Sequence, residues 1–173
     1  MTQFCFNQLF FDIYIIWGFR NMTMTIWIDG DACPKAVKQI LFRAAIKRRV
    51  MVIIVANHLA VIPPSAFIKR VQVESGFDKA DKYIVSQLER GDLVITADII
   101  LADEVITKKA VALNPRGMLY TSNNIKQILN LRNMNESLRE SGLIRQGLEA
   151  LSPKEIQSFS NHLDRIITSQ NSL

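Results

Sequence analysis

The stretch Ile26-Trp27-Ile28-Asp29-Gly30-Asp31-Ala32-Cys33-Pro34 joins an apolar, strand-like run to two carboxylates and then to a proline suited to open a helix. Two acids flanking one glycine repel each other, and a cation or a positive helix terminus must offset that cost. A second junction of the same form stands at Leu93-Val94-Ile95-Thr96-Ala97-Asp98, where a short apolar run again ends in an acid before a helical pattern. If the two strands are neighbours, Asp29, Asp31 and Asp98 converge beyond their carboxyl ends, where open α/β sheets bind ligands. Asp78 and Asp81, at i and i+3 on an intervening helix, face the same way and can add one more ligand. Carboxylates alone suit Mg²⁺ or Mn²⁺, and such a site would polarise a phosphodiester and generate hydroxide from water.

Each acid also has a structural explanation. Asp78 and Asp98 can cap their helices, Asp31 can stabilise the N-terminus of the Pro34 helix, and Asp92 reads as a polar turn residue before a strand. Capping needs one acid per helix and does not account for Asp29 and Asp31 on both sides of Gly30, so the group together reads as a metal cluster without a basic partner. Asp103 reads as a solvated helix position. Cys33 has no histidine near it in sequence and reads as inert burial, and His58, in a loop after a strand, reads as a surface residue with acid–base work as the alternative. Arg116 and Lys126 are candidate phosphate contacts near the same end of the sheet, with a merely solvated role as the alternative.

The elements that must position these residues follow from periodicity. Thr25 to Ile28 is a strand, and Val37, Ile40, Leu41, Ala44 and Ala45 then recur at helical spacing after Pro34. Val50 to Ala56 is a nearly continuous β-branched run, the pattern of a strand covered on both faces. A loop with Asn57, His58 and Pro63-Pro64 leads to a strand over Phe67 to Glu74. The pattern then predicts a helix from Asp78 to about Arg90, a strand over Leu93 to Thr96, a helix over Ile99 to Lys108 and a last strand over Ala110 to Leu113. A helix from Ile125 to Arg132, a separate one over Asn135 to Glu140, and a final helix opened by the capping box Ser152-Pro153-Lys154-Glu155 complete the chain. The order implies an α/β fold, a three-layer αβα arrangement on a mainly parallel sheet.

With 173 residues, 49% of them apolar, the default is one domain, here residues 24–169 with 170–173 as a tail. The net charge of +5 and pI near 9.4 favour a polyanionic partner such as RNA, although Lys and Arg are spread along the chain rather than gathered in one tract. Two cysteines, Cys5 and Cys33, and two histidines, His58 and His162, exclude a disulfide framework and a His-rich metal site, and a reducing, cytoplasmic compartment is expected. Residues 1–23 are apolar and aromatic, yet too interrupted to span a bilayer and without the flanks of a signal peptide. Met22 and Met24 precede the first convincing strand, so a start codon placed too far upstream is expected, with a packing or interfacial extension as the alternative.

Ile28-Asp29-Gly30-Asp31-Ala32-Cys33-Pro34, Val55-Ala56-Asn57, Gly76-Phe77-Asp78-Lys79-Ala80-Asp81, Gly91-Asp92-Leu93-Val94-Ile95-Thr96-Ala97-Asp98, Leu113-Asn114-Pro115-Arg116-Gly117 and Asn124-Ile125 occur in an order and spacing that resembles the YaiI/YqxD family. The resemblance covers about residues 24–168. It implies a fold similar to PIN and NYN domains, whose members are commonly metal-dependent ribonucleases with acids at corresponding strand ends. It also implies Asp29, Asp31, Asp81 and Asp98 as the catalytic metal cluster, Asp78 as a close substitute for Asp81, and Asn57 beside the substrate. Gly30 stands where the family usually has Ala, Ile100 where Pro is common, and Arg145-Gln146-Gly147 where a Thr-Gly-Gly-Pro-like segment is usual. The expectation is a Mg²⁺- or Mn²⁺-dependent endonuclease acting on RNA. The alternatives are a non-catalytic RNA- or protein-binding module and a haloacid-dehalogenase-like phosphatase with Asp29 as nucleophile and Asp31 as general acid/base. The phosphatase fares poorly, because a helix at Pro34 leaves no room for the hairpin such enzymes insert.

Overall fold

The computed structural model describes residues 24–76, 78–140 and 150–170. Expectations for residues 1–23, Cys5, Arg145-Gln146-Gly147 and 171–173 lie outside the described residues. The elements are β1 (Thr25–Asp29), α1 (Lys35–Arg48), β2 (Met51–Ala56), β3 (Ile68–Gln72), α2 (Lys79–Gln87), β4 (Leu93–Ile95), α3 (Ile99–Thr107), β5 (Val111–Leu113), β6 (Leu119–Tyr120), α4 (Ile125–Glu140) and α5 (Pro153–Gln170). The strands form one sheet in the order β3-β2-β1-β4-β5-β6, parallel throughout except for β6 against β5.

Alternation along the central strands builds the three layers. Ile26 and Ile28 of β1, Val52 and Ile54 of β2, and Leu93 and Ile95 of β4 point to one face, where Val37, Leu41 and Ala45 of α1 and Phe159, Leu163 and Ile167 of α5 cover them. Trp27, Val55, Val94 and Ala112 point to the other face, against Ile84 of α2, Leu101 and Val105 of α3, and Ile125 of α4. The α/β, αβα expectation is therefore observed. Among the described residues no helix is long and apolar enough to cross a membrane.

Three local expectations change. Ala110 to Leu113 does not hold the last strand, because the turn after it brings two more residues back as β6. Gly117 donates its N–H to Asn114 O at 2.8 Å and takes φ 86°, and a Cβ there would lie 2.5 Å from the Phe159 backbone nitrogen. Glycine thus lets this turn press against α5, where Ser158 Oγ donates to Gly117 O at 3.0 Å. The helix after Ile125 runs unbroken to Glu140 instead of as two pieces, and α2 stops at Gln87, short of Arg90.

Asp92 closes the turn from Glu89, as its sequence context suggests, but it is more than a turn residue. It is buried just ahead of β4, where its carboxylate accepts from Thr25 N–H at 2.8 Å, Trp27 Nε1–H at 3.0 Å and Glu89 N–H at 3.1 Å. One side chain thereby fixes the start of β1 to the start of β4. Asp92→Ala strands the buried Trp27 N–H and is expected to cost about 2–4 kcal/mol, read as a lower urea midpoint at unchanged m-value. A loss below about 0.5 kcal/mol would show that the strands hold their register without it.

Candidate functional site

The chain winds from β1 outward through β2 and β3, then returns to lay β4 on the other side of β1, with Ile28 opposite Ile95. The winding direction reverses between β1 and β4, the position at which open α/β sheets bind ligands. Asp29, the last residue of β1, shares the Trp27 face and is 8% exposed. Thr96, buried just past β4, donates its hydroxyl to Asp29 Oδ2 at 3.2 Å and accepts the Asp98 N–H at 3.0 Å. A single hydroxyl therefore joins the two acidic junctions. Sequence reasoning passed over Thr96, although its place two residues before the acid was the available signal.

Of the three capping explanations, one holds. Asp98 Oδ1 accepts the N–H groups of Ile100 at 2.7 Å and Leu101 at 3.4 Å, so it caps α3, with Arg132 4.0 Å from the same oxygen. Asp78 occupies the cap position of α2 in the left-handed region, φ 56°, but its side chain makes no capping bond. Asp31 does not cap α1, whose cap residue is Pro34. Its Oδ2 accepts the Asn57 N–H at 3.1 Å and its Oδ1 lies 2.8 Å from His58 Nδ1. Asp31 thus leans toward the end of β2, and His58, a surface residue as expected, is its partner.

The electrostatics separate these acids further. Asp81, in the first turn of α2, is pushed up to about 6, first by burial and then by the charges of Asp29, Asp98, Asp78 and Glu104. Glu104 on α3 had no sequence signal linking it to the site. Burial also raises Asp29, with Asp31 adding to the rise, against the opposing hydrogen bonds from Thr96 and the backbone of Ala32 and Asp31. The cluster does have basic neighbours: Lys38 Nζ donates to Gly30 O at 2.6 Å, and His58 and Arg132 stand at its edges. Gly30 in turn lies hard against β2, donating to Val55 O at 2.7 Å, and a Cβ there would meet Ile54 Cγ2 at 2.7 Å.

Asp29, Asp31, Asn57, Asp78, Lys79 and Asp81 line a cleft of about 260 Å³ at this end of the sheet. A second groove, of about 660 Å³, shares Asp31 with it and extends past Pro34 and Asn114 to Arg116 and Leu151. Arg116 lies there with its guanidinium on Glu155 Oε1 at 2.8 Å, and that bond holds the Glu155 carboxyl down at about 2. Lys126 is exposed on the first turn of α4 and lines neither depression. Cys33 is buried, and burial pushes its thiol up to about 12 although Lys38 pulls the other way, which matches an inert thiol. Asp103 is exposed on α3. Among the described residues no three His, Cys, Asp or Glu side chains are placed to hold one ion. The acids share a cleft and one another's field without meeting at a point.

An acid whose pKa is raised in the fold makes the fold less stable as it ionises. For Asp81 this cost is absent below the unfolded value of 3.8, grows as pH rises, and is complete above about 6. Discounted for its partial exposure, the cost is of order 1 kcal/mol, or roughly 2–4 °C in melting temperature. In EDTA, Asp81→Asn is therefore expected to melt above wild type at pH 7.5 and level with it at pH 4. A variant that melts lower at pH 7.5 would refute the repulsion.

The chain has close relatives in bacteria. A "UPF0178 protein" of Shewanella amazonensis is 56% identical over 142 residues, which is 82% of this chain and 95% of the relative. One from Shewanella sediminis is 55% identical over 150 residues, 87% of this chain and all of the relative. One from Legionella pneumophila is 56% identical over 142 residues, 82% of this chain and 96% of the relative. No solved structure matches the chain. The family model described as "Uncharacterized BCR, YaiI/YqxD family" matches residues 27–169, a span that takes in Asp29, Asp31, Asp78, Asp81 and Asp98. The chain belongs to the YaiI/YqxD family.

Proposed function

We propose that the chain is a divalent-metal-dependent nuclease acting on RNA, with Asp29, Asp81 and Asp98 holding Mg²⁺ or Mn²⁺ and Asp78 at the rim. The observation that carries this reading is the gathering of carboxylates from β1, α2 and α3 at the switch point of the sheet, close enough for Asp29, Asp98 and Asp78 to raise Asp81 together. Among the described residues neither the Asp78 nor the Asp81 carboxylate accepts a hydrogen bond. The donor set fits a hard cation, since it is all oxygen and its mutual repulsion is what a divalent charge would neutralise. When bound, such an ion would polarise a phosphodiester and lower the pKa of water.

The chain's own residues supply orientation. The Thr96 hydroxyl holds Asp29 Oδ2, and the start of α3 holds Asp98 Oδ1, so two of the three carboxylates are fixed on rigid elements. Asp81, raised to about 6 by burial and its acidic neighbours, must give up its proton to hold a cation, which ties ion binding to pH. The likeness to PIN and NYN domains belongs to this proposal and agrees with acids at the ends of β1 and β4. The second reading, a binding module that does not cut, draws on one observation: no three ligands stand ready around a point among the described residues. The phosphatase reading gains nothing, because Asn57 and His58 occupy both oxygens of Asp31, which that mechanism needs as its general acid.

Mn²⁺ is expected to raise the melting temperature of wild type at pH 7.5, to lose that effect as pH falls below about 6, and to have none on Asp29→Asn or Asp81→Asn. Wild type with Mg²⁺ or Mn²⁺ is expected to cut a labelled single-stranded RNA, with activity lost in EDTA and reduced at least 100-fold in Asp29→Asn and Asp98→Asn (about 2.7 kcal/mol or more). A metal shift without cutting would leave the binding module. No shift and no cutting would remove the metal centre.

A further inference from the structure

Lys and Arg look scattered along the chain, but one helix gathers them. Between Lys35 and Arg49 stand six of the 21 Lys and Arg and none of the 16 Asp and Glu, so taking these six from the net +5 leaves the remaining chain at −1. Val37, Leu41 and Ala45 turn inward along α1, which drives Lys35, Arg43, Lys47 and Arg48, with Arg49 just after the helix, to the surface. Lys38 is spent on the Gly30 carbonyl, and Arg48 pairs with the exposed Asp164 of α5. Lys35, Arg43, Lys47 and Arg49 have no acidic partner among the described residues.

These cations form a track with a defined position. Arg43, Lys47 and Arg48 line a groove of about 280 Å³ between α1 and α5, whose one acid is Asp164. A 14-residue helix is about 21 Å long. It begins directly after Asp31 and Pro34, at the mouth of the acidic cleft, so the row leads away from that cleft along the outer face of the molecule. A membrane surface fits less well. The one large apolar side chain strongly exposed on α1 is Ile46, and Phe42, one turn before it, packs against the core instead of standing out to seat in a headgroup layer.

We propose that the outer face of α1 is a docking surface for the phosphodiester backbone of a single-stranded nucleic acid, with Lys35, Arg43 and Lys47 on its phosphates. The inference rests on the nuclease reading only in that the docked strand would be the substrate. Its test is binding in EDTA, where the acidic cleft contributes no metal-dependent step. The probe is a fluorescein-labelled RNA 12-mer of mixed sequence, followed by anisotropy from 50 to 300 mM KCl.

With four unpaired cations, log K is expected to fall against log[salt] with a slope of about −3. The variant Lys35→Gln/Arg43→Gln/Lys47→Gln is expected to bind at least tenfold more weakly at 100 mM KCl and to lose about 2 from that slope. Lys82→Gln/Arg90→Gln/Lys109→Gln removes equal charge from the opposite side of the sheet and is expected to bind within twofold of wild type. A DNA 12-mer of the same sequence is expected to respond as the RNA does, because phosphates carry the contact. Asp29→Asn removes a repelling charge and is expected to bind at least as tightly as wild type, which separates this surface from the metal centre. Wild-type affinity in the α1 variant, equal loss in both triple variants, or binding to phosphatidylglycerol vesicles but not to RNA would overturn the proposal.

Discussion

The pairing of β1 with β4 is the constraint on which the site depends. Only three residue pairs make this ladder, Ile26 with Leu93, Trp27 with Val94 and Ile28 with Ile95. So short a parallel contact is pinned by side chains at both ends. At the N-terminal end the Asp92 carboxylate ties Thr25 and Trp27 to the start of β4. At the C-terminal end the Thr96 hydroxyl ties Asp29 to the residues after β4. A slip of one residue would turn Asp29 from the α2–α3 face to the α1–α5 face and dissolve the acidic cleft. The two buried polar ties thus determine where the acids stand as well as whether the strands pair.

That placement is held against electrostatic cost. Asp29 is buried beside other acids, and Asp81 feels four carboxylates at once. Lys38 on the Gly30 carbonyl, His58 on Asp31 and Arg132 near Asp98 stand at the edges of the cluster, on groups other than Asp29 and Asp81. A sheet that needed only stability would carry apolar residues at these strand ends. Acids retained at that cost mark a functional-site candidate, and it is this cost that the proposed cation would offset.

The architecture was legible because it follows from periodicity. Buried runs at β1, β2 and β4 and helical spacing in α1 and α5 gave the layers, and the two apolar-to-acid junctions gave the switch point. The missed features depend on contacts distant in sequence. Asp92 looks like a turn residue and nothing more until Trp27, 65 positions away, is seen to donate to it. Asp31 looks like a helix cap until β2 brings Asn57 and His58 beside it. β6 is two residues long, too short to show alternation, and exists because Gly117 closes the preceding turn against α5. Arg116 was rightly placed at this end of the sheet, but its bond to Glu155 joins parts of the chain 39 residues apart and has no local signature.

The acids and the basic helix also bear on each other. A polyanion approaching the cleft from solution meets Asp31, Asp78 and Asp81 with Lys79 among them, and the net negative field of the lining opposes it. With α1 removed, the remaining charge is of the same sign as the polyanion. The attraction proposed for the face of α1 would act against this field, over distances set by a Debye length of about 8 Å at physiological salt. α1 begins directly after the acidic turn, so this face lies close enough to act at the cleft mouth. If a divalent ion fills the cleft, the repulsion that remains there falls as well, and ion binding and strand binding reinforce each other. Their coupling then has one physical source, the neutralisation of carboxylates that the β1–β4 register holds together.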